Sequence, residues 1–385
     1  MVLAGFPLII LYMQKEKNSL KDLAGLFTRL GLTAFGGPAA HIAMMQKEVV
    51  EKRGWMDHQH FLDLIGATNL IPGPNSTEMA IHIGHERGGW KGLLVAGCCF
   101  IFPAVVITGV IAWLYKRYGQ LPQVRPFIYG IKPAVIAIIL AAVFPIARKS
   151  LKTGKLIFIG VFALVLSLSG VNEIFVLFGS GLIAPLLYWL RGPGKTLNRF
   201  WPALILDLPF LSTANLRIFF VFLKIGAILY GSGYVLFAFL DSELVAKGLL
   251  SRTQLVDAIA VGQFTPGPVF SSVTFIGWQM NGMSGALMAT IAVFLPSFVF
   301  VALLNPLVPR MRKSILFSTF LDGVNAASVA IILTVCIVFG RETVTDWRTI
   351  MIAMLSGVVT FGFRRVNTAF VVLGSAVAGW LLQLI

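Results

Sequence analysis

Two apolar stretches of this 385-residue chain are interrupted in the same way. The first reads Asn69-Leu-Ile-Pro-Gly-Pro-Asn75 and the second reads Gln263-Phe-Thr-Pro-Gly-Pro-Val269. Proline lacks the backbone N–H and cannot continue a helix, whereas glycine permits backbone angles that other residues resist. Each stretch is therefore predicted to form two half-helices that meet at an unwound point.

The chain around these breaks is apolar enough to lie in a lipid bilayer. Hydrophobic residues make up 57% of the chain, charged residues only 12%, and the mean hydropathy is +0.86. A soluble domain carries about 25% charged residues. Residues 258–309 contain no charged side chain. At about 20 residues per crossing, we predict an all-α polytopic integral membrane protein with broken helices and about 12–13 membrane segments.

The second half of the chain repeats the first. Phe35-Gly36-Gly37-Pro38 aligns with Tyr230-Gly231-Ser232-Gly233 at a shift of 195 residues, and the Pro-Gly-Pro motifs align at a shift of 194. Ordered matches with a slowly drifting shift indicate an internal duplication. The predicted organisation is an N-terminal segment at 1–22, a first repeat at 23–190, a basic connector at 191–216 and a second repeat at 217–385.

Basic residues carry the formal net charge of +15 and predict the topology. The loop at 148–155 contains four basic residues and no acid, so it is expected on the cytoplasmic side. In the second repeat the basic cluster lies at 310–313, one membrane segment before the loop that matches 148–155. This phase favours inverted repeats, and a crossing by residues 201–211 would give 13 segments. The chain has no basic and aromatic stripe outside the apolar runs, so we expect no nucleic-acid partner.

The half-helices that start at the breaks suit an anion. A helix N-terminus presents unpaired N–H groups and about half a positive charge. Arg29 and Lys224 precede the glycine breaks at matching positions, and their alternative role is snorkelling to the membrane interface. Together these features would suit a small tetrahedral dianion. The predicted substrate contacts are Arg29, Lys224, Gly36, Gly37, Asn69, Gly73, Asn75, Ser76, Thr77, Gly231, Ser232, Gln263, Thr265, Gly267 and Ser271.

A polar cluster of Glu78, His82, His85 and Glu86 occurs in the first repeat alone. Glu78 and His82 are spaced i, i+4 and share a helix face. Three interpretations are open. The cluster could be a proton relay for coupled transport that also uses His41, a polar helix end at the interface, or a zinc site.

Three further polar residues lie in the matching fourth segments of the repeats. Lys132 aligns with Asn325, and Asp322 lies one helical turn before Asn325. They could line the pathway or pair with each other. Single polar residues in helix bundles more often make structural contacts between helices.

Several linked motifs resemble the chromate ion transporter family in its long, two-domain form. They are Phe35-Gly-Gly-Pro38, the run from Lys47-Glu48 to Gly54-Trp55, the first Pro-Gly-Pro stretch and Gly262-Gln-Phe-Thr-Pro-Gly-Pro268. The resemblance covers nearly the whole chain, although the second glycine break lacks the proline of the first. It implies a secondary transporter in the bacterial inner (plasma) membrane that exports chromate against proton entry and confers chromate resistance. No cofactor is implied, and a homodimer is compatible with this assignment.

Two alternatives compete with chromate export. Sulfate has nearly the shape and charge of chromate, so a carrier of sulfate or another tetrahedral oxyanion would use the same residues. A membrane metalloenzyme built on Glu78, His82 and His85 is the alternative from another class. A reductase is disfavoured because no Gly-x-Gly-x-x-Gly fingerprint follows a strand.

Overall fold

The computed structural model describes residues 20–119, 121–189, 214–304, 311, 314–363 and 366–384. Within these ranges the chain forms helices, turns and loops, and no strand. This confirms the predicted all-helical architecture. Most of the predicted connector and the basic residues of the 310–313 cluster lie outside the described residues.

Fourteen α-helices follow one another in the described ranges. Short π-helical turns at Lys47–Lys52 and Asp241–Val245 and 3₁₀ turns at Gly233–Val235 and Val269–Ser271 join some of them. The helices are α1 (Leu20–Thr33), α2 (Pro38–Gln46), α3 (His58–Thr68), α4 (Asn75–Tyr118), α5 (Arg125–Ser150), α6 (Gly154–Leu168), α7 (Glu173–Trp189), α8 (Ala214–Ile228), α9 (Leu236–Leu240), α10 (Arg252–Phe264), α11 (Ser272–Leu304), α12 (Ile315–Thr343), α13 (Trp347–Gly362) and α14 (Thr368–Leu382).

Four of the described helices, α4, α5, α11 and α12, are long and apolar enough to cross a membrane. Helices α6, α7, α13 and α14 are shorter and equally apolar. Large hydrophobic side chains on their outer faces, such as Phe102, Phe158 and Phe370, are exposed. A monomer in water rarely exposes so much apolar surface, whereas lipid covers it without cost.

In the first half of the chain, each predicted break is the tip of a helical hairpin. Arg29 on α1 forms an ion pair with Glu48, although 19 residues of continuous helix would separate them by about 28 Å. His60 at the start of α3 lies 3.7 Å from Glu86, near the end of the first arm of α4. The chain therefore turns back at each break. The sequence predicts the two half-helices but not this reversal.

The second half has the same two hairpins. Lys224 on α8 lies 3.1 Å from Glu243, beyond the glycine break. A Cβ on Gly262 of α10 would come 2.9 Å from Ser272 Cβ, beyond the Pro-Gly-Pro. We call the four turning points the first tip (residues 35–38), the second tip (72–74), the third tip (230–233) and the fourth tip (266–268).

Helices α4 and α11 also fold back on themselves. In α4 the helical geometry is interrupted at Gly88 and Gly89, and in α11 at Asn281 and Gly282. Gly89 has φ of 56° and Gly282 has φ of 61°, a left-handed conformation that glycine adopts without strain. Each helix is thus a first arm that completes a hairpin and a longer second arm that can cross the membrane.

The second arms of α4 and α11 run in opposite directions. A Cβ on Gly109 would lie 4.0 Å from Thr274 Cγ2, and Gln279 donates to the Ala112 carbonyl at 3.4 Å. Residue numbers rise together in these contacts, so the second arm of α4 is parallel to the first arm of α11. Because Thr274 and Thr290 share a hydrogen bond of 2.8 Å across the reversal in α11, the second arm of α11 is antiparallel to its counterpart in α4.

The two halves exchange their last helix pairs. Helices α6 and α7 of the first half pack on α12 of the second, and α13 and α14 pack on α5 of the first. Glycines allow the closest approaches, since a Cβ on Gly323 would collide with α7 and one on Gly130 would collide with α14. Neither half can therefore keep its packing without the other.

Candidate functional site

The four tips meet where the two halves face each other. The N–H of Gly73 in the second tip donates to the Leu229 carbonyl, just before the third tip, at 2.8 Å. The N–H of Gly267 in the fourth tip donates to the Ala34 carbonyl, just before the first tip, also at 2.8 Å. Each Pro-Gly-Pro tip is thus docked on the glycine break of the opposite half.

The first and third tips also face each other. A Cβ on Gly37 would come 2.9 Å from Tyr234 Oη, and one on Gly233 would come 4.0 Å from Pro38. Gly36 is less crowded, with only Ala40 near its Cβ position. Ser232 accepts a hydrogen bond from the Tyr234 N–H at 3.4 Å and so caps the short 3₁₀ turn that follows.

The Pro-Gly-Pro glycines are required by both conformation and space. Gly73 has φ of 139° and Gly267 has φ of 90°, where residues with a Cβ are strained. A Cβ on Gly73 would collide with Glu78 Oε1 and Ser297 Oγ. Because both glycine amides already donate to carbonyls, the prediction that they face a bound anion needs correction: they join the two halves.

Arg29 and Lys224 are also already paired. Arg29 and Lys52 both bind the carboxylate of Glu48, with Lys52 Nζ 2.7 Å from Oε1. Arg53 lies 3.8 Å from the same carboxylate, so the cluster keeps a net positive charge, and a role for Arg29 toward a bound anion stays a prediction. Hydrogen bonds from Lys52 and Arg29 hold the pKa of Glu48 below its ordinary value.

The second half repeats this cluster with Lys224, Glu243 and Lys247. Glu243 Oε1 lies 3.1 Å from Lys224 Nζ and its Oε2 lies 2.7 Å from Lys247 Nζ. Burial favours the protonated acid, but the hydrogen bonds from the two lysines outweigh it and lower the pKa of Glu243. Two lysines share one glutamate, so a net positive charge remains here too, and the role of Lys224 as a substrate cation stays a prediction.

Four buried polar atoms follow the Pro-Gly-Pro tips at matching positions. Thr77 and Glu78 occupy the first turn of α4, and Ser271 and Ser272 occupy the same positions beyond the fourth tip, at a shift of 194. All four residues are 0% exposed. Within the described part of the chain, Thr77 Oγ1, Glu78 Oε2, Ser271 Oγ and Ser272 Oγ have no hydrogen-bond partner. Since buried polar groups are nearly always paired, each pair indicates a place for a polar ligand next to its own tip.

The helix starts add a favourable field for negative charge. The first N–H groups of a helix have no carbonyl partner within the helix and carry a partial positive charge. The hydroxyls of Thr77 and Ser271 lie in two such first turns, one from each half. Two helix starts and several hydroxyl donors can hold an anion without a neighbouring cation.

Glu78 and His82 share one buried helix face, as their spacing predicts. Ser297 on α11 donates to Glu78 Oε1 at 3.4 Å, which links the carboxyl to the second half. His82 is buried, and its Nε2 has no partner among the described residues. His85 instead lies edge-on to Trp90 at 6.3 Å between ring centres. The described residues contain no group of three or more side chains that could hold a metal ion.

His41 connects three tips. Its Nε2 lies 3.0 Å from the Ala34 carbonyl and its Nδ1 lies 3.3 Å from Ser76 Oγ. A carbonyl only accepts, so Nε2 carries the proton and a neutral His41 accepts from the Ser76 hydroxyl. The Ala34 carbonyl also receives the Gly267 N–H. His41 thus joins the first hairpin, the start of α4 and the fourth tip.

Among the other predicted contacts, Asn75 and Thr265 have local partners, and Gln263 is buried with an amide nitrogen that is unpaired within the described residues. Asn75 donates to Asn69 Oδ1 at 2.7 Å, and Thr265 donates to the Val261 carbonyl at 3.0 Å. Gln263 is buried, and its Nε2 lacks a partner in the described ranges.

Asn69 opens onto a cavity of about 270 Å³ that Asp322 and Asn325 also line. A Cβ on Gly231 in the third tip would collide with Ser328 and come 3.6 Å from Asn325 Oδ1. The cavity therefore lies beside the third tip.

Three contributors escape sequence reasoning. Ser297 and Tyr234 reach the tips from the opposite half, and nothing in their local sequence marks them. Asp257 pairs with Lys132 at 3.0 Å, although its match with Asp63 in the repeat is the only signal in the sequence. Lys132 therefore pairs with Asp257, and neither Asp322 nor Asn325 is its partner.

Comparison with known proteins gives a consistent result. The chain is 32% identical to the chromate transport protein of Cupriavidus metallidurans over 378 residues, which cover 94% of this chain and 92% of that protein. It is 29% identical to the probable chromate transport protein of Synechococcus elongatus, with 94% and 95% covered. It is 26% identical to the chromate transport protein of Pseudomonas aeruginosa, with 94% and 92% covered.

No solved structure matches the chain at a significant level. The family model described as Chromate transporter matches twice, at residues 21–185 and 216–380. The two matches correspond to the two halves seen in the structure. The chain is therefore a multi-pass bacterial membrane protein that belongs to the chromate transporter family.

Proposed function

We propose that this protein exports chromate from the cytoplasm as a secondary active transporter coupled to proton entry, and so confers chromate resistance. The names of its relatives and the family match support chromate as the substrate. The single observation that carries the proposal is the set of buried, unpartnered polar atoms at matching positions beyond the second and fourth tips.

The anion would bind between these two helix starts. Thr77, Ser271 and Ser272 supply hydroxyl donors from both halves, and the two helix N-termini supply partial positive charge. Gln263 adds an amide donor whose Nε2 has no partner within the described ranges. Hydrogen bonds to a charged group contribute about 1.5–3 kcal/mol each, so these donors can replace much of the water around a tetrahedral dianion.

Glu78 would carry the coupling proton. Its carboxyl is fully buried in the same first helical turn as Thr77, and among the described residues Oε1 accepts from Ser297 while Oε2 has no partner. A carboxyl inside the membrane that can change protonation is the usual means of proton coupling. His82, one turn further along the same face, and His41, which binds Ser76, would pass the proton to or from Glu78.

We also propose that the two halves are inverted repeats, at 23–190 and 217–385. The antiparallel second arms of α4 and α11 support this arrangement, because equivalent helices of parallel repeats would run in the same direction. Transporters built from inverted repeats bind their substrate at the repeat interface and rock one half against the other. The connector between the halves would then cross the membrane.

Uptake of labelled chromate into inside-out membrane vesicles tests the function. Vesicles that contain the protein should accumulate chromate faster than empty vesicles, and faster still with an acidic lumen. Collapse of the pH gradient should remove the second increment. Equal uptake with and without the protein would refute chromate export, and uptake that ignores the gradient would refute proton coupling alone.

Sulfate competition decides the substrate. The donors in the site would recognise any tetrahedral dianion, so the same vesicles should be assayed with labelled chromate and increasing unlabelled sulfate. We expect chromate uptake to persist with sulfate at equal concentration. Complete loss of chromate uptake under that condition would make sulfate the preferred substrate.

A further inference from the structure

One ion pair joins the two halves close to the site. Lys132 on α5 places Nζ 3.0 Å from Asp257 Oδ1 on α10. The hydroxyl of Tyr115 on α4 donates to the other carboxylate oxygen of Asp257 at 2.5 Å. The Asp257 side chain is 4% exposed and that of Lys132 is 20% exposed. A buried pair of this kind adds little net stability, but it leaves a costly unpaired charge when one partner is removed.

The pair lies near the fourth tip and beside a second cavity. Asp257 is seven residues before the end of α10 at Phe264, about 10 Å along the helix. Asp257 and Tyr115 line a cavity of about 420 Å³ between α4, α5, α10 and α14. The remaining walls are mostly aliphatic and aromatic. In such surroundings a charged side chain interacts strongly with any ion that comes close.

The matching position in the other half has a different partner. Asn325 on α12 occupies the place of Lys132, at a shift of 193. Its Oδ1 comes within 3.6 Å of the Cβ position on Gly231 in the third tip. The matching glycine of the first tip, Gly36, has only Ala40 within 4 Å of its Cβ position. Asn325 therefore reaches its tip, whereas Lys132 is drawn to Asp257.

When two related halves of a transporter rock against each other, each half takes up the conformation that the other half had before. In the exchanged state, Lys132 would approach the first tip as Asn325 approaches the third tip here. A dianion in a poorly solvated site interacts strongly with a cation, and Lys132 is the cation at the position that matches Asn325, the residue that reaches the third tip. We propose that Lys132 is a further binding residue for the transported oxyanion, held by Asp257 in this conformation and released to the anion in the exchanged one. This inference rests on the proposed function.

Four variants separate this role from a structural one, using the concentration dependence of labelled chromate uptake in inside-out vesicles. Lys132→Asn introduces the residue of the other half, and Lys132→Arg keeps the charge. Asp257→Asn frees the lysine, and Lys132→Asn with Asp257→Asn removes both charges. We expect the KM to rise about tenfold or more, ~1.4 kcal/mol, in Lys132→Asn and in the double variant. It should stay near wild type in Lys132→Arg and should not rise in Asp257→Asn.

A purely structural ion pair gives the opposite pattern. Both single neutral variants would then lose transport, and the double variant, which leaves no unpaired charge, would recover the wild-type KM. That recovery would overturn the inference. If Asp257→Asn does not accumulate in the membrane, the comparison of Lys132→Arg with the double variant still decides. Wild-type vesicles that fail to take up chromate would refute the proposed function itself, whereas active variants with unchanged KM would refute only the role of Lys132.

Discussion

The two halves of the molecule share their scaffold contacts and differ in the chemistry at their tips. In both, a Pro-Gly-Pro glycine donates to the carbonyl that precedes the glycine break of the other half, at 2.8 Å. In both, a glutamate beyond the glycine break pairs with more than one cation, three at Glu48 and two at Glu243. The halves differ at two matching positions. Glu78 of the first half matches Ser272 of the second, and Ala104 of the first half matches Ser297 of the second.

The contacts found in both halves are those that build the fold, and the groups found in one half are those to which we assign transport. Contacts that occur twice hold the hairpins and tips in place, so they explain the fold. The carboxyl of Glu78, the imidazole of His41 and the ammonium of Lys132 occur once, opposite Ser272, Leu236 and Asn325. In the proposed function Glu78 carries the coupling proton, so the repeated scaffold needs this carboxyl in one half alone.

The largest effect is expected from Glu78→Gln. The amide keeps the size of the side chain but binds no proton, so uptake driven by a pH gradient should fall about a hundredfold, equivalent to ~2.7 kcal/mol. The matched change in the other half, Ser272→Ala, removes one hydroxyl donor to the charged anion, about 1.5–3 kcal/mol, so it should weaken uptake but keep the response to the pH gradient. Initial rates in inside-out vesicles with and without the gradient, at equal protein abundance, provide the measurement. Loss of the gradient response in both variants would show that the halves are not functionally distinct.

Gly73→Ala should strongly destabilise the protein. The new Cβ meets Glu78 and Ser297 at a φ of 139°, and backbone strain and overpacking contribute about 1–3 kcal/mol each. Gly54→Ala is the control, because Gly54 also has positive φ but has nothing within 4 Å of its Cβ position. Thermal unfolding of the purified proteins should give a much lower Tm for Gly73→Ala. Equal Tm values would mean that the second tip is not closely packed.

The glutamates of the two cation clusters should differ in their contribution to stability. Glu243 is 5% exposed and Glu48 is 12% exposed, so we expect Glu243→Gln to cost about 1–3 kcal/mol and Glu48→Gln about 0.5–1 kcal/mol. Both side chains have a lowered pKa in the folded protein. Their contribution is therefore complete above the unfolded value of about 4.5 and is lost as pH falls through the folded value.

The pH dependence of Tm tests whether these glutamates stabilise the protein in their charged form. The difference in Tm between wild type and Glu243→Gln should be constant near neutral pH and should shrink below about pH 4.5. A difference that grows on acidification would contradict the assignment. Larger destabilisation by Glu48→Gln than by Glu243→Gln would reverse the predicted order of the halves.

The smallest effect should come from the caps of the second hairpin and its counterpart. Asp57 accepts from the His60 N–H at 2.7 Å, and Ser251, at the matching position, accepts from the Gln254 N–H at 3.2 Å. Each cap contributes about 1 kcal/mol. Asp57→Ala and Ser251→Ala should lower the Tm by similar small amounts without changing the KM for chromate. A clear change in KM would show that the hairpin starts also shape the site.

Sequence reasoning identified the breaks, the duplication and the Glu78–His82 face because these depend on local spacing. The sequence also places Thr77 and Ser271 at helix starts, where their buried hydroxyls have no partner among the described residues. It could not predict that the chain reverses at each break, since a kinked helix and a hairpin share the same Pro-Gly-Pro. Nor could it show that Glu48 and Glu243 pair with Arg29 and Lys224, because those contacts depend on that reversal.

Binding of labelled chromate to the purified protein tests most directly whether the two helix starts hold the anion. Thr77→Val with Ser271→Ala removes one hydroxyl from each half, and Thr334→Val, whose hydroxyl donates to a carbonyl of its own helix at 3.2 Å, is the control. With two hydrogen bonds to a charged group lost at about 1.5–3 kcal/mol each, the double variant should bind at least about a hundredfold more weakly than wild type. Wild-type affinity in a folded double variant would contradict the account.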